Sequence, residues 1–411
     1  MKKKVTALLL CLSMLICTVI TTSDNSFVYA DSDDYAVIIY SDADWEGDSL
    51  ELSVGSYDVS TLTSSIGNDT LSSLRVAPGY QVTLYKNSGY SGSSITVTQD
   101  VYDLTDHSFN DMVSSIVISE CNPVDDTCIA IDGITDETMV SLLYEFAPRI
   151  WLASDEEYYP SSVEWALQYM TRYYDEDEGA YCYKTTETLS SATSKLSYFY
   201  GNLESSRCYS FYVIKDYNNI DLSYWQYCPY NYGKKVMGQE FGNHVSDWEH
   251  VTVRLAVFTY DGQMYVKPTL VCFPYHSYVD TLEWSEVSKV SGTNHVIAYS
   301  ASKSHGMWAT AGTHTYYNAG IFKLQDVCSE GTAWDTWEIL ETYQYLYWWG
   351  RAIGDSTWTG YFEIEYQNES SLCGYRWGNQ ASGSLFGQDI LATGPRGPEG
   401  HSALYNSLVL R

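Results

Sequence analysis

The sequence predicts a mainly β protein, an N-terminal duplicated module followed by a larger β domain with few helices, and two observations carry that prediction. The phrase Asn68-Asp69-Thr70-Leu71-Ser72-Ser73 returns as Asn110-Asp111-Met112-Val113-Ser114-Ser115, 42 residues later. Each copy follows a hairpin-like aromatic motif, Tyr40-Ser-Asp-Ala-Asp-Trp45-Glu-Gly47 or Tyr85-Lys-Asn-Ser-Gly-Tyr90-Ser-Gly92. A repeat of this period marks two similar supersecondary units packed together. From Arg149 onward, short runs rich in Tyr, Trp, Val and Thr are separated by Gly, Asn, Asp and Ser, as strands are separated by turns.

The chain opens on Met1-Lys-Lys-Lys, an apolar run from Ala7 to Ile20, and Val28-Tyr29-Ala30 before Asp31. That is the basic, apolar and small-residue order of a secretory signal peptide, so residues 1–30 are expected to be removed and the product secreted. The run is short for a membrane span. The formal charge of −30 disfavours phosphate backbones and so excludes nucleic acid as an expected partner. Cys121, Cys128, Cys182, Cys208, Cys228, Cys272, Cys328 and Cys373 lie beyond the signal peptide, an even set that permits disulfides. Cys121 and Cys128 are expected to close a small loop, whereas the scatter of the others argues against a cysteine zinc site.

The repeated phrase has the chemistry of a calcium site. Ca²⁺ takes six to eight oxygen ligands in flexible geometry. An Asp with a Ser three residues later supplies a carboxylate and a hydroxyl from one turn, with the carbonyl of Thr70 or Met112 between them. One turn cannot fill the shell, so two turns sharing ligands is the expected arrangement. With its aromatic motifs, the segment from Asp34 to Glu120 resembles the microbial βγ-crystallins. The resemblance implies a double Greek-key sandwich over residues 31–120 and calcium ligands at Asp69, Ser72, Asp111 and Ser114.

Residues 121–135, from Cys121-Asn-Pro to Gly133, mix turn residues and acids without periodicity and read as a linker. Asp136 to Phe146 then predicts a helix, with acids in its first turn and Pro148 beyond its end. Within 136–411, strands are expected at Tyr209–Ile214, His250–Thr259, Met264–Phe273 and Gly360–Tyr366, and helices at Ser162–Tyr173 and Trp334–Arg351. The aromatic excess between Tyr198 and Tyr232 suits either a sugar-stacking platform or, more commonly, core and cross-strand pairs.

The chemically suggestive segment is Asn243-His244-Val-Ser-Asp247-Trp248-Glu249-His250-Val251. As a strand it places Asp247, Glu249 and Val251 on one face and Trp248, His250 and Thr252 on the other. With His244 folding over the acidic face, His244, Asp247 and Glu249 form a candidate site for a second divalent cation, Ca²⁺, Mg²⁺ or Mn²⁺. The same groups would serve acid/base chemistry, with His305 or His250 moving protons, although an ordinary exposed acidic face fits the pattern too. His305 and His314 lie in Gly-flanked loops.

Four phrases, Phe146-Ala-Pro148 through Trp165, Asn243 through Val251, Ser304-His305-Gly306 and Gly394-Pro395-Arg-Gly397-Pro398, occur in the order seen in the vacuolar protein sorting-associated protein 62 family, which this segment resembles. His244, Asp247, Trp248, Glu249 and the later His305-Gly306 are also similar to the motif of the secreted necrosis- and ethylene-inducing proteins. That similarity implies a cation used at membrane head groups. Ser246 stands where that family has a second histidine, and Glu240 is displaced from its remaining acidic ligand. The expectation is a secreted calcium-binding protein whose large domain recognises an extracellular glycan or lipid head group, with a toxin-like variant of that action. A metal-dependent hydrolase centred on His244, Asp247 and Glu249 is the alternative, and a coat or matrix protein or a peptidase inhibitor are others. No Gly-x-Ser-x-Gly, His-Glu-x-x-His or phosphate loop is present, which weighs against an enzyme.

Overall fold

The computed structural model describes residues 35–176, 180–215, 219–236, 238–318, 320, 323–346, 349–352, 376–385 and 388–398. The expected signal peptide, Cys373 and the expected strand at Gly360–Tyr366 lie outside them.

The duplicated region forms two sheets around one core. The first runs Ser49–Leu52, Val37–Tyr40, Ser73–Val76 in spatial order, and the second Gly55–Tyr57, Ser115–Glu120, Tyr80–Asn87, Ser91–Val97. Alternate residues turn inward: Val37, Ile39, Leu74, Val82, Leu84 and Ile116 are all fully buried. Gly55–Tyr57 belongs to the first repeat yet pairs with Ser115–Glu120 of the second, so the second sheet takes a strand from the first repeat, and Val101 of the second repeat in turn bridges Leu74 of the first sheet. This exchange fits the double Greek key.

The second serine of each repeated phrase bolts its aromatic hairpin. Ser73 Oγ accepts from Trp45 N at 3.0 Å and donates to Asp42 O at 2.6 Å. Ser115 Oγ does the same with Tyr90 N at 3.0 Å and Asn87 O at 2.7 Å. The hairpins turn through left-handed backbone at Trp45, Gly47, Tyr90 and Gly92. Gly92 is needed for space as well as for its φ of 84°, because a Cβ there would lie 2.6 Å from Asn87 Nδ2.

The larger region is organised by a mixed sheet with the spatial order Tyr278–Glu283, Gln263–Tyr275, His244–Tyr260, Asn219–Asn231, Cys208–Ile214, Leu340–Leu346, Trp349–Ala352. Every residue of Asn219–Asn231 is buried, so both faces of the sheet are covered. Register sets the two faces: Trp225 and Tyr227 pair with His250 and Trp248, and Gln226 and Cys228 pair with Glu249 and Asp247. The aromatic face packs Tyr209, Phe211, Trp225, Tyr227, Trp248 and Trp377 into one core. Toward the polar face lies a small sheet ordered Met307–Trp308, Ile297–Ser300, Arg149–Leu152, Thr332–Asp335.

The Asp136–Glu145 helix forms as expected; Thr135 Oγ1 caps it by accepting from Thr138 N, and Met139, Leu142 and Leu143 are its buried residues. Other expectations change. The predicted helix Ser162–Tyr173 is helical only over Val163–Leu167, and Met170–Asp175 leaves it to pair with Ala180–Thr185. The predicted helix Trp334–Arg351 is instead strand, a short 3₁₀ turn, and two more strands. Its Leu-Glu-Thr-Tyr-Gln-Tyr stretch takes a parallel partner in Cys208–Ile214, which decides the matter over local preference.

The 121–135 linker is also ordered: Ile129–Ile131 pairs with Met264–Val266, and Lys267 holds Asp125 at 2.7 Å. All described cysteines are free thiols, so the expected disulfides are not formed among them. Cys182, Cys208, Cys228 and Cys272 are each sealed into separate strands, and the Cys128 thiol turns to the Pro123 carbonyl rather than to Cys121.

Candidate functional site

Two places gather the residues singled out in the sequence. In the duplicated module, Asp69 and Asp111 both adopt left-handed backbone in the turns before their strands, with φ of 55° and 53°. They reach across to the other repeat. Ser114 Oγ donates to Asp69 Oδ1 at 3.0 Å, and Ser72 Oγ donates to Asp111 Oδ1 at 3.4 Å. Asn68 and Asn110 steady the second oxygens, donating to Asp69 Oδ2 at 2.7 Å and Asp111 Oδ2 at 3.0 Å. The four expected ligand residues are thus sorted into two crossed carboxylate and hydroxyl pairs, with the Thr70 carbonyl 3.4 Å from Ser72 Oγ. These are hard oxygen donors in the combination Ca²⁺ takes, and the donor set fits that ion.

The second place is the polar face of the His244–Tyr260 strand, where the structure rearranges the expected roles. His244 Nδ1–H donates to the Ser246 carbonyl at 2.6 Å, which leaves Nε2 to accept from Asn231 Nδ2 at 2.9 Å. Asn231 is itself held, since its Oδ1 accepts from Gly233 N at 2.7 Å. The lone pair that would bind a cation is therefore engaged, and Asp247 Oδ1 stands 3.9 Å from that nitrogen. Asp247 belongs instead to His305, whose Nδ1 lies 2.9 Å from Oδ2. Among the described residues, no three His, Cys, Asp or Glu side chains are grouped to hold a metal ion. His244, Asp247 and Glu249 share a strand without sharing a coordination shell.

His305 is the centre of this face. Its Nε2 lies 2.9 Å from the Tyr158 carbonyl, so both ring nitrogens meet acceptors and both carry protons. Burial opposes that charge, but the Asp247 hydrogen bond and the Glu156 carboxylate favour it, and the pKa of His305 is raised well above 6.5. Glu156 Oε1 is 3.9 Å away and also accepts from the backbone of Glu157 and Tyr158, and Oε2 accepts from Lys303 N at 2.7 Å. Burial pushes the Cys228 thiol up to about 11, so it is neutral and inert as a nucleophile near pH 7. His250, the other candidate proton carrier, faces away: it stacks on Trp225 at 4.0 Å and lies 3.1 Å from Thr252 Oγ1. His314 lies on the exposed side of Trp308, stacked at 4.1 Å.

Glu249 is the exception to this pairing. It keeps some solvent contact, yet burial, followed by the charge of Asp247, raises its carboxyl pKa well above 4.5, only partly offset by His305. A raised carboxyl pKa penalises folding as pH rises above the unfolded value. Glu249→Gln, which keeps the shape without the charge, is expected to raise the urea midpoint at pH 8 and leave it unchanged at pH 4. Equal midpoints at pH 8 would show the carboxylate is tolerated there.

Sequence reasoning missed Asp326, a wholly buried carboxylate with four donors. Lys234 Nζ and Ser304 Oγ bind Oδ1 at 2.6 and 2.8 Å, and His276 Nε2 and Trp308 Nε1 each bind Oδ2 at 3.0 Å. Burial alone would raise its pKa, but the His276 and Lys234 bonds and charges hold it well below the usual carboxylate range. Through Ser304 and Trp308, Asp326 fixes the loop that presents His305.

These two places correspond to two sets of known proteins. Residues 186–322 match the family model for Vacuolar protein sorting-associated protein 62. That span holds the His244–Val251 and Ser304–Gly306 phrases. A Saccharomyces cerevisiae protein of the same name is 28% identical over 149 residues, covering 33% of this chain and 30% of that protein. The chain therefore spans under a third of that relative. Over its N-terminal region the chain is βγ-crystallin-like. Spherulin-3A of Physarum polycephalum is 29% identical over 85 residues, covering 20% of this chain and 81% of that protein. The solved βγ-crystallin domain from Flavobacterium johnsoniae is 35% identical, covering 21% of this chain and 94% of that one, with a TM-score of 0.20.

Proposed function

We propose that this chain is an extracellular calcium-binding protein in which a βγ-crystallin-like module, residues 31–120, accompanies a large non-catalytic recognition domain, residues 136–411. The crossed pairs Asp69 with Ser114 and Asp111 with Ser72 are the observation that carries the reading. Each pair draws its two oxygens from different repeats, so an ion bound there would tie the repeats together. Calcium bound only by the folded state stabilises it by RT ln(1 + [L]/Kd), about 2.7 kcal/mol at a hundredfold excess over Kd.

The large domain is read as a binding domain because the histidine, carboxylates and thiol around His305, Glu249 apart, are engaged in holding the structure. His305, Asp247, Glu156 and Asp326 hold loops in place, and Cys228 keeps its proton. Most of the Tyr198–Tyr232 aromatics are core, as the commoner expectation had it, but Tyr200 is 44% exposed and stacks on Tyr158 with an interplanar angle of 9°. Lys195 lies over the neighbouring Tyr230 and Tyr232 rings. A supported, exposed ring beside polar groups favours a glycan over a lipid head group as the target.

Calorimetric titration of the full chain with CaCl₂ tests the calcium reading. Two equivalents are expected for the wild type and none for the Asp69→Ala/Asp111→Ala double variant. A dissociation constant of about 10⁻⁴–10⁻³ M would be ordinary for an extracellular module. Undiminished heat in the double variant would place the calcium elsewhere.

A further inference from the structure

Among the contacts between the crystallin-like module and the large sheet, which include Gln99 with Glu283, one involves a buried side chain of the sheet's central strand. Arg254, 2% exposed and on the central His244–Tyr260 strand, forms a two-pronged pair with Asp221, Nε to Oδ1 at 2.8 Å and Nη2 to Oδ2 at 3.0 Å. Its remaining prong leaves the large domain: Nη1 donates to the Tyr102 hydroxyl at 3.0 Å. Tyr102 stacks on Trp45 of the first aromatic hairpin, ring centroids 4.3 Å apart, and its carbonyl accepts from Asp44 N at 2.8 Å. The phenol of a surface loop thus takes a third hydrogen bond from a guanidinium inside the neighbouring sheet.

The loop that carries Tyr102 is bracketed by one of the two crossed pairs. Val101 and Leu74 exchange both backbone hydrogen bonds at 2.9 Å, which fixes the loop's start. Leu104 N then donates to the carbonyl of Ser72 at 2.8 Å, and the loop ends in Asn110 and Asp111. Ser72 and Asp111 are the members of one crossed pair. The other pair, Asp69 with Ser114, bonds its own hairpin in the same way, Ser114 N to Tyr85 O as Ser72 N to Tyr40 O, each at 3.0 Å, and differs in that it is Ser72 whose carbonyl receives the 102–110 loop. The two pairs are alike in themselves and unlike in what they hold.

We propose that calcium at the Ser72 and Asp111 pair, and not at its twin, sets how firmly the module docks on the large sheet, through the Tyr102 hydroxyl on Arg254. This rests on the calcium reading above. An ion drawing Ser72 and Asp111 together stiffens both anchors of the 102–110 loop, so Tyr102 spends more time bonded to Arg254. Coupling of this kind is reciprocal: breaking the Tyr102 bond weakens calcium binding at that pair by the same factor.

Hydrogen exchange by mass spectrometry on the full chain, with CaCl₂ or with chelator, reads the coupling alongside calorimetric stoichiometry. In the wild type, calcium is expected to slow exchange in the repeated phrases and also, by about tenfold, in the Asp221 and Arg254 strands. Tyr102→Phe keeps the stack on Trp45 and loses only the hydroxyl. It should bind two calcium ions, protect the repeated phrases, and lose the response in the large sheet. Asp111→Ala should lose that response as well, whereas Asp69→Ala should keep it. Large-sheet protection that survives in Tyr102→Phe, or that is absent from a calcium-loaded wild type, overturns the coupling while leaving calcium binding intact. Zero calcium equivalents in the wild type overturns both readings, and calorimetry identifies that outcome separately.

Discussion

Asp326→Ala is expected to be the most damaging single substitution in the large domain, lowering stability by at least about 3–5 kcal/mol. The carboxylate is completely buried and is the acceptor for Lys234, Ser304, His276 and Trp308. Removing it leaves an ammonium facing a cavity and three further donors without an acceptor. The penalty for stranding buried partners exceeds the net worth of the bonds themselves. Asp326→Asn should recover little, because its amide NH₂ would face donors. Because its folded pKa is depressed, Asp326 contributes stability above the unfolded value near 3.8 and loses it as pH falls toward the folded value. Urea denaturation at pH 7 measures the loss; a shift under about 1 kcal/mol would sink this account of the hub.

His305→Ala comes second, with a cost of about 3–5 kcal/mol at pH 6 from an Asp247 carboxylate left without its buried countercharge. Its pH dependence separates it from a simple packing defect. The folded pKa is raised, so the charge on His305 adds stability that is fully present below about 6.5 and fades as pH climbs through the higher folded value. Glu249 has the same sign, since its raised carboxyl binds a proton the unfolded chain has already released. Wild-type stability should therefore fall between pH 6 and 9, and the slope should be shallower in His305→Ala. Parallel pH profiles for the two proteins would mean that His305 is not the titrating group.

The parts of the site that were legible in the sequence are those carried by repetition and alternation. Asp69, Ser72, Asp111 and Ser114 announced themselves because the same six-residue phrase occurs twice, and their partnership needs only that the two copies lie side by side. The faces of the Asp247 to Thr252 strand followed from its period of two. What stayed hidden depends on register between distant segments. His244 looked available because nothing in its own neighbourhood says that Asn231 lies opposite it in the ladder. Asp326 sits in an unremarkable Lys-Leu-Gln-Asp-Val-Cys run, and its four donors come from positions 234, 276, 304 and 308. Glu156 falls inside the Phe146–Trp165 phrase, where nothing local gives it a role. The strand at Leu340–Leu346 could have been found, since Tyr343 and Tyr345 alternate with Thr342 and Gln344.

That last strand also sets the timetable of synthesis. Cys208–Ile214 needs Leu340–Leu346 to cover its outer edge, and Ser210 Oγ bonds the carbonyl of Glu341, 131 residues further along. At roughly 5–20 residues per second, a ribosome leaves that edge uncovered for on the order of ten seconds after it emerges. The exposed strand is Cys-Tyr-Ser-Phe-Tyr-Val-Ile, without a charge or a proline to discourage another chain from pairing with it. The crystallin-like repeats, by contrast, complete their sheets within the first 120 residues. Truncation before residue 340 should leave the N-terminal repeats folded and turn the rest of the nascent chain into an aggregation template.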